Sequence, residues 1–300
     1  MINMTLKQLR YVDALARHRH FGHAADACAI SQPALSMQIK ELEAALGTPL
    51  VERGGRKLRL TAFGEEFTRR ARQILREVDE LATLARAAEE QFAGRLRLGV
   101  IPTIAPYLLP RVVAGITGAY PQLDVHVRET LTPRLIEELD AGRIDAAIVA
   151  LPVSEPWLQE VALFDERMML VRPQTDEGKP VPDAADLGQL RLLLLEEGHC
   201  FRDQALEVCR LRPDRPREGL DGTTLSTLVQ MVGAGLGVTL LPEMAVSIET
   251  RSAPVTVTRF PVPEPRRTVG MVWRKSSPLS DQLRSLSEIV RSASADAREA

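Results

Sequence analysis

Apolar positions recur at helical spacing three times in the first sixty residues, once more over a much longer stretch, and then give way to short strand-like runs alternating with helices. Leu6, Leu9, Val12 and Ala16 predict a helix over 5–18. Phe21 opens a second, shorter one whose Ala24, Ala25 and Ala27 are small enough to let another helix cross closely. Ser31 precedes Gln32-Pro33, a capping hydroxyl followed by a proline in the first turn, and Leu35, Ile39, Leu42 and Leu46 form the buried stripe of a third helix. This is helix–turn–helix spacing. It turns Gln32, Ser36, Gln38 and Lys40 outward, where a recognition helix meets the major groove. Glu52 to Leu60, with Arg53, Gly54-Gly55, Arg56 and Lys57, reads as a basic wing: a glycine turn between two short strands.

Thr61 is a cap for the next helix, in which Phe63, Phe67, Ala71, Ile74, Val78, Leu81, Ala85, Ala88 and Phe92 alternate steps of three and four. Thirty residues of helix extend about 45 Å, more than a small domain covers. A dimerising linker therefore fits better than a helix folded along its own domain. From Gly94 strand-like runs (96–101, 123–127, 146–149) alternate with helices near 106–118 and 133–141, a parallel βαβ arrangement. A second set (168–172, 192–195, a helix from Phe201, 237–241) predicts another lobe, with 269–274 and a helix near 279–290 returning to the first. The fold class is α/β with an all-α N-terminal part, divided into 1–61, 62–93 and 94–300.

Charge adds one element to this picture. The net value is −2, yet residues 1–61 hold nine Lys/Arg against five Asp/Glu, so that the N-terminal part carries +4 and the remainder −6. The basic part is where nucleic acid is expected. Three cysteines are too few for a secreted disulfide framework. No apolar run approaches the roughly 18 residues of a membrane span and the first residues show no leader pattern, so a cytoplasmic protein without membrane contact is expected.

The chemistry concentrates at Gly198-His199-Cys200-Phe201-Arg202-Asp203, with Cys209 nine positions after Cys200. A thiolate is favoured by nearby cations and by a helix N-terminus, and Cys200 has His199, Arg202 and an amphipathic run from Phe201 to Leu211 beside it. An intact helix would hold the two thiol-bearing Cα atoms about 13 Å apart, whereas a disulfide requires less than about 7 Å. Joining them would unwind the helix, and the pattern reads as a redox switch. Glu196 and Glu197 would oppose the thiolate if they pointed inward. Cys28, among alanines, reads as a small apolar core residue. Gly233-Ala234-Gly235-Leu236-Gly237 follows a helix and precedes a strand, the reverse of a dinucleotide-binding turn. His199, Cys200 and Cys209 lack the spacing of a metal site, and no cofactor is implied. Thr103 and Thr132 follow strand ends and would line a crevice there, although Thr132-Pro133 is also a good helix-cap signal.

Phe21, Ala24-Ala25, Ser31-Gln32-Pro33-Ala34-Leu35-Ser36, Ile39, Leu42-Glu43, Leu46-Gly47 and Leu50-Val51-Glu52-Arg53 resemble the winged helix–turn–helix signature of the LysR-type transcriptional regulators. Ile101-Pro102-Thr103, Pro106 to Pro110, Leu163 to Glu166, Leu195 to Ala205, Cys209 and Pro265 to Gly270 further resemble the peroxide-sensing members of that family over nearly the whole chain. The resemblance implies a two-lobed regulatory domain similar to periplasmic solute-binding proteins. It implies a peroxidatic Cys200 and a resolving Cys209, with Thr103, Thr132, His199, Arg202 and Asp203 around the peroxide. It also implies DNA contacts from Ser31, Gln32, Pro33, Ser36, Gln38, Lys40 and Arg53. The partners implied are promoter DNA, hydrogen peroxide, a cellular thiol reductant and further copies of the chain in a dimer of dimers. Two other readings suit parts of the pattern: a LysR-type regulator of a small carboxylate, and a thiol peroxidase with an accessory DNA-binding domain.

Overall fold

The computed structural model describes residues 4–52, 58–87, 93–183, 187, 190–210 and 220–299. The chain divides into two compact units, Met1–Ala85 and Arg86–Ala300.

In the first unit, helix α1 (Leu6–His18) starts on a reciprocal cap between Thr5 and Gln8. Helix α2 (Phe21–Ala27) is capped by an imidazole: His20 Nδ1 accepts the backbone N–H groups of Gly22 and His23 at 3.1 and 3.3 Å. Ser31 Oγ caps α3 (Gln32–Leu46), which ends on Gly47 at φ +69°. Val12, Leu15, Ala24, Ala25, Leu35, Ile39, Leu42 and Leu50 form the core. Beyond α3, Glu43 Oε1 accepts the N–H groups of Leu50 and Val51 at 2.7 and 3.1 Å, fixing the start of the wing. Val51 bridges Leu60 antiparallel, the base the wing needs, while Arg53 and the rest of 53–57 lie outside the described residues.

Thr61 Oγ1 accepts from Gly64 N–H and so caps α4 (Ala62–Ala87), as its sequence position implies. Gly64 has no alternative: a Cβ there would lie 2.1 Å from the Leu50 carbonyl oxygen. The long apolar seam of α4 divides in two. Phe67 packs on the winged-helix core and Ala71 is buried, whereas Phe63, Ile74 and Leu81 are exposed, Leu81 by 68%. Ala88 and Phe92, the last seam positions, lie outside the described residues.

The second unit is built on one sheet in the order β2-β1-β3-β9-β4-β7, with β8 also paired to β4. Strands β1 (Gly94–Val100), β2 (Leu123–Glu129) and β3 (Ala146–Leu151) are mutually parallel across β1, as the alternation with α5 (Ala105–Ala119) and α6 (Thr132–Asp140) requires. The sixteen-residue β4 (Leu158–Pro173) was anticipated only as 168–172. Its first part pairs with β9 (Arg266–Arg274) across a register shift between Ala162 and Phe164, and its last part pairs with β7 (Thr239–Pro242) and β8 (Val255–Thr258), all antiparallel. One strand therefore belongs to both lobes.

The first lobe buries Leu96, Leu98, Val100, Ile148 and Trp273 together with residues of α5 and α10 (Ser280–Glu299). The second buries Leu170, Leu193, Leu195, Leu228 and Leu240 beneath α7 (Cys200–Val208), α8 (Leu225–Gly233) and α9 (Glu243–Glu249). The expected strand at 192–195 shrinks to β5 (Leu194–Leu195), parallel to β6 (Asp221–Gly222), with Leu192 making one bridge to Val238.

Candidate functional site

Helix α7 begins at Cys200 with His199 as its N-cap residue, and Cys209 is its C-cap. Its two ends serve different cores. Cys200 packs against the first lobe, whereas Phe201, Ala205, Leu206 and the 1%-exposed Cys209 lie in the core of the second. Nine helical steps keep the Cα atoms about 13 Å apart, and no disulfide joins the two residues. Arg210, immediately after Cys209, has φ +51°, a left-handed conformation that favours glycine.

Gly198 takes φ +95°, and a Cβ there would lie 3.1 Å from Leu131 Cδ1, so the turn before Cys200 meets the residue before Thr132. Thr132 does not act as the cap its sequence suggests. Leu131 holds the cap position of α6 without a side-chain bond, and the buried Thr132 Oγ1 has no hydrogen-bond partner among the described residues. Thr103, 3% exposed, is held by Arg267: Nη1 donates to its Oγ1 at 2.9 Å and Nη2 to its carbonyl at 3.0 Å. The Thr103 hydroxyl keeps its own proton to donate. The Arg267 guanidinium also lies 5.2 Å from the Phe201 ring centroid and pairs with Glu166 at 2.7 Å, both side chains being fully buried. Glu166 in turn accepts Met244 N–H at 2.9 Å, at the start of α9.

Arg267 and Glu166 were absent from the anticipated site. Neither stands out in the sequence, since Glu166 lies within Asp165-Glu166-Arg167 of β4 and Arg267 follows Arg266 in β9; only cross-strand pairing brings Glu166 opposite Arg267 in register.

Other site residues are placed differently from expectation. Burial pushes the His199 imidazole below its usual value, with Glu196 pulling it partway back, which disfavours the cation anticipated beside Cys200. Arg202 Nη1 donates to the Leu195 carbonyl at 2.7 Å and pairs with Asp221 at 3.0 Å, tying α7 to β5 and β6. Asp203 is exposed in the first turn of α7, and Glu196 and Glu197 point to solvent rather than inward. Cys28 sits half-buried on the winged-helix core, where burial raises its pKa above the ordinary thiol value and so disfavours the thiolate.

On α3, Gln32, Pro33 and Lys40 are exposed and Ser36 is half-buried. Gln38 is half-buried and bonded within the domain: it accepts from Gln8 Nε2 at 3.4 Å and donates to Glu41 Oε2 at 2.7 Å. Ser31 uses its oxygen as the cap. Among the described residues, no group of His, Cys, Asp and Glu could hold a metal ion, and no helix is long and apolar enough to cross a membrane.

These two features, a capped recognition helix in a winged domain and a two-lobed α/β unit sharing one strand, define a class of regulators. Residues 6–65 match the bacterial regulatory helix–turn–helix protein model of the LysR family, and residues 89–295 match the LysR substrate binding domain. The chain belongs to the LysR family. It is 41% identical over 290 residues to the DNA-binding transcriptional dual regulator OxyR of Escherichia coli strain K12, covering 96% of this chain and 95% of that one. It is 44% identical over 301 residues to a probable hydrogen peroxide-inducible genes activator of Streptomyces viridosporus, covering 97% and 95%. Among solved structures, a full-length OxyR of Pseudomonas aeruginosa carrying a cysteine-to-aspartate change matches with a TM-score of 0.74 at 38% identity, over 96% of this chain and 95% of that one. A cysteine-to-serine variant of Corynebacterium glutamicum OxyR with hydrogen peroxide bound matches with a TM-score of 0.68 at 33% identity, over 100% and 95%.

Proposed function

We propose that this chain is a DNA-binding transcription regulator that senses hydrogen peroxide through reversible disulfide formation between Cys200 and Cys209 and controls antioxidant genes. The observation that carries the reading is the division of α7 between two cores: the residue at its start, Cys200, packs against the first lobe, and the one at its end, Cys209, is buried in the second. The Cys200 thiolate attacks one peroxide oxygen, the O–O bond breaks, and hydroxide leaves, giving a sulfenic acid. Cys209 then attacks that sulfur, its proton leaving with the hydroxyl group as water, and a disulfide remains. Thr103 and Thr132 hold the peroxide, with His199 as a polar neighbour and Arg267 fixing Thr103. Arg202 acts on the site by anchoring the start of α7, and Asp203 contributes through the first-turn dipole of that helix.

The disulfide cannot form on an intact α7, so oxidation refolds the segment and redistributes contacts between the lobes. Gln32, Pro33, Ser36 and Lys40 face the major groove, with Arg53 reaching the backbone from the wing. Exposed Phe63, Ile74 and Leu81 form the seam with a second copy, and the working assembly is a dimer of dimers in the cytoplasm. A cellular dithiol restores the reduced state, so that the chain is a reactant in its own signal rather than an enzyme. Mass spectrometry of the cysteine states after one equivalent of peroxide tests this. A Cys200–Cys209 linkage is expected in the unsubstituted protein and in Cys28→Ser; both thiols remaining unlinked in the unsubstituted protein, or loss of the linkage in Cys28→Ser, would refute the reading.

A further inference from the structure

Helix α3 presents one side chain that the anticipated DNA contacts omit. Leu35, Ile39 and Leu42 fix the buried direction of the helix at 0%, 3% and 0% exposure. At about 100° per residue, Met37 stands roughly opposite that direction, flanked by the exposed Pro33, Lys40 and Ala44, and it is 55% exposed. Gln38, the polar neighbour expected to face outward, is held to the side by Gln8 and Glu41. The centre of the outward face is therefore a thioether. A single exposed apolar residue is ordinary on a protein surface; its position on this helix gives this one a meaning.

A methionine side chain has no N–H or O–H donor and only a weak acceptor, so it cannot read the hydrogen-bonding pattern of a base pair. The one apolar group on the major-groove edge of the bases is the 5-methyl of thymine. Methionine is long and flexible, and its sulfur is polarisable, which lets it settle on such a methyl without demanding one geometry. We propose that Met37 packs on the 5-methyl group of a thymine in the major groove, so that each half-site bound carries a thymine at one fixed position. The proposal rests on the DNA-binding reading above and adds the chemical feature that is read.

The test uses full-length protein and a duplex enriched by it from a randomised pool, with each thymine replaced in turn by deoxyuridine, which removes only the methyl. One thymine per half-site is expected to lose about fourfold in affinity on replacement, the worth of one buried methyl group. In Met37→Ala the thymine and uracil duplexes should bind equally, while Met37→Leu should keep the difference. Because Met37 is exposed, neither variant should alter thermal unfolding. A methyl effect that persists in Met37→Ala, or no methyl effect in the unsubstituted protein, overturns the proposal while leaving DNA binding intact. Failure to enrich any sequence would instead overturn the DNA-binding reading, and the proposal with it.

Discussion

The same substitution, threonine to valine, should change stability in opposite directions at the two site threonines. Thr132 Oγ1 is buried without a partner, and an unsatisfied buried hydroxyl costs about 1–3 kcal/mol. Thr132→Val exchanges that hydroxyl for a methyl of the same shape, so reduced protein should gain about 1 kcal/mol. Thr103 Oγ1 accepts a bond from Arg267 Nη1 at 2.9 Å inside the core. Thr103→Val leaves a buried guanidinium N–H unpaired and should lose about 1–3 kcal/mol. For a unit of this size each kcal/mol moves the midpoint by about 2–4 °C, so thermal unfolding of reduced protein separates the two variants readily. Both should slow the loss of the Cys200 thiol under excess peroxide, because each removes a hydroxyl assigned to the ligand. Stability shifts of the same sign in both variants would refute the hydrogen-bond accounting. Oxidation of Thr132→Val at the unsubstituted rate would show that its unpaired hydroxyl is not kept for peroxide.

Arg267→Met should destabilise the reduced protein by about 3–5 kcal/mol, because it strands the Glu166 carboxylate in the core. Adding Glu166→Leu should recover much of that loss in urea unfolding, although the Met244 N–H is then left without its acceptor. Hydrogen exchange should show protected amides from Ala205 to Cys209 in reduced protein and loss of that protection after stoichiometric peroxide; unchanged exchange alongside a formed disulfide would rule out local refolding.

Local signals were strong wherever one segment could satisfy its own needs. Ser31-Gln32-Pro33 and Thr61 announced helix starts because a capping oxygen and the N–H groups it serves lie within three residues. The thiol pair was visible for a similar reason: helical rise alone shows that Cys200 and Cys209 cannot meet across an intact α7. Thr132 shows where such reasoning stops. Thr132-Pro133 has the local form of a cap, yet the turn assigns that position to Leu131 and leaves the threonine hydroxyl buried and unpaired. Gln38 shows the same limit on α3, since its bond to Gln8, thirty residues away, has no local signal in the sequence.

What the chain determined by itself was the order of its elements, the winged helix–turn–helix and the placing of two thiols at the ends of one helix, because periodicity, caps and turns are short-range. The tertiary structure decided which residues meet around Arg267. Thr103, Glu166, Phe201 and Arg267 are scattered over 164 positions, and only the antiparallel register of β4 with β9 places Glu166 opposite Arg267. The downward shift of His199 was equally beyond the sequence, because a pKa responds to burial, and burial depends on how the lobes pack rather than on the identity of neighbouring residues.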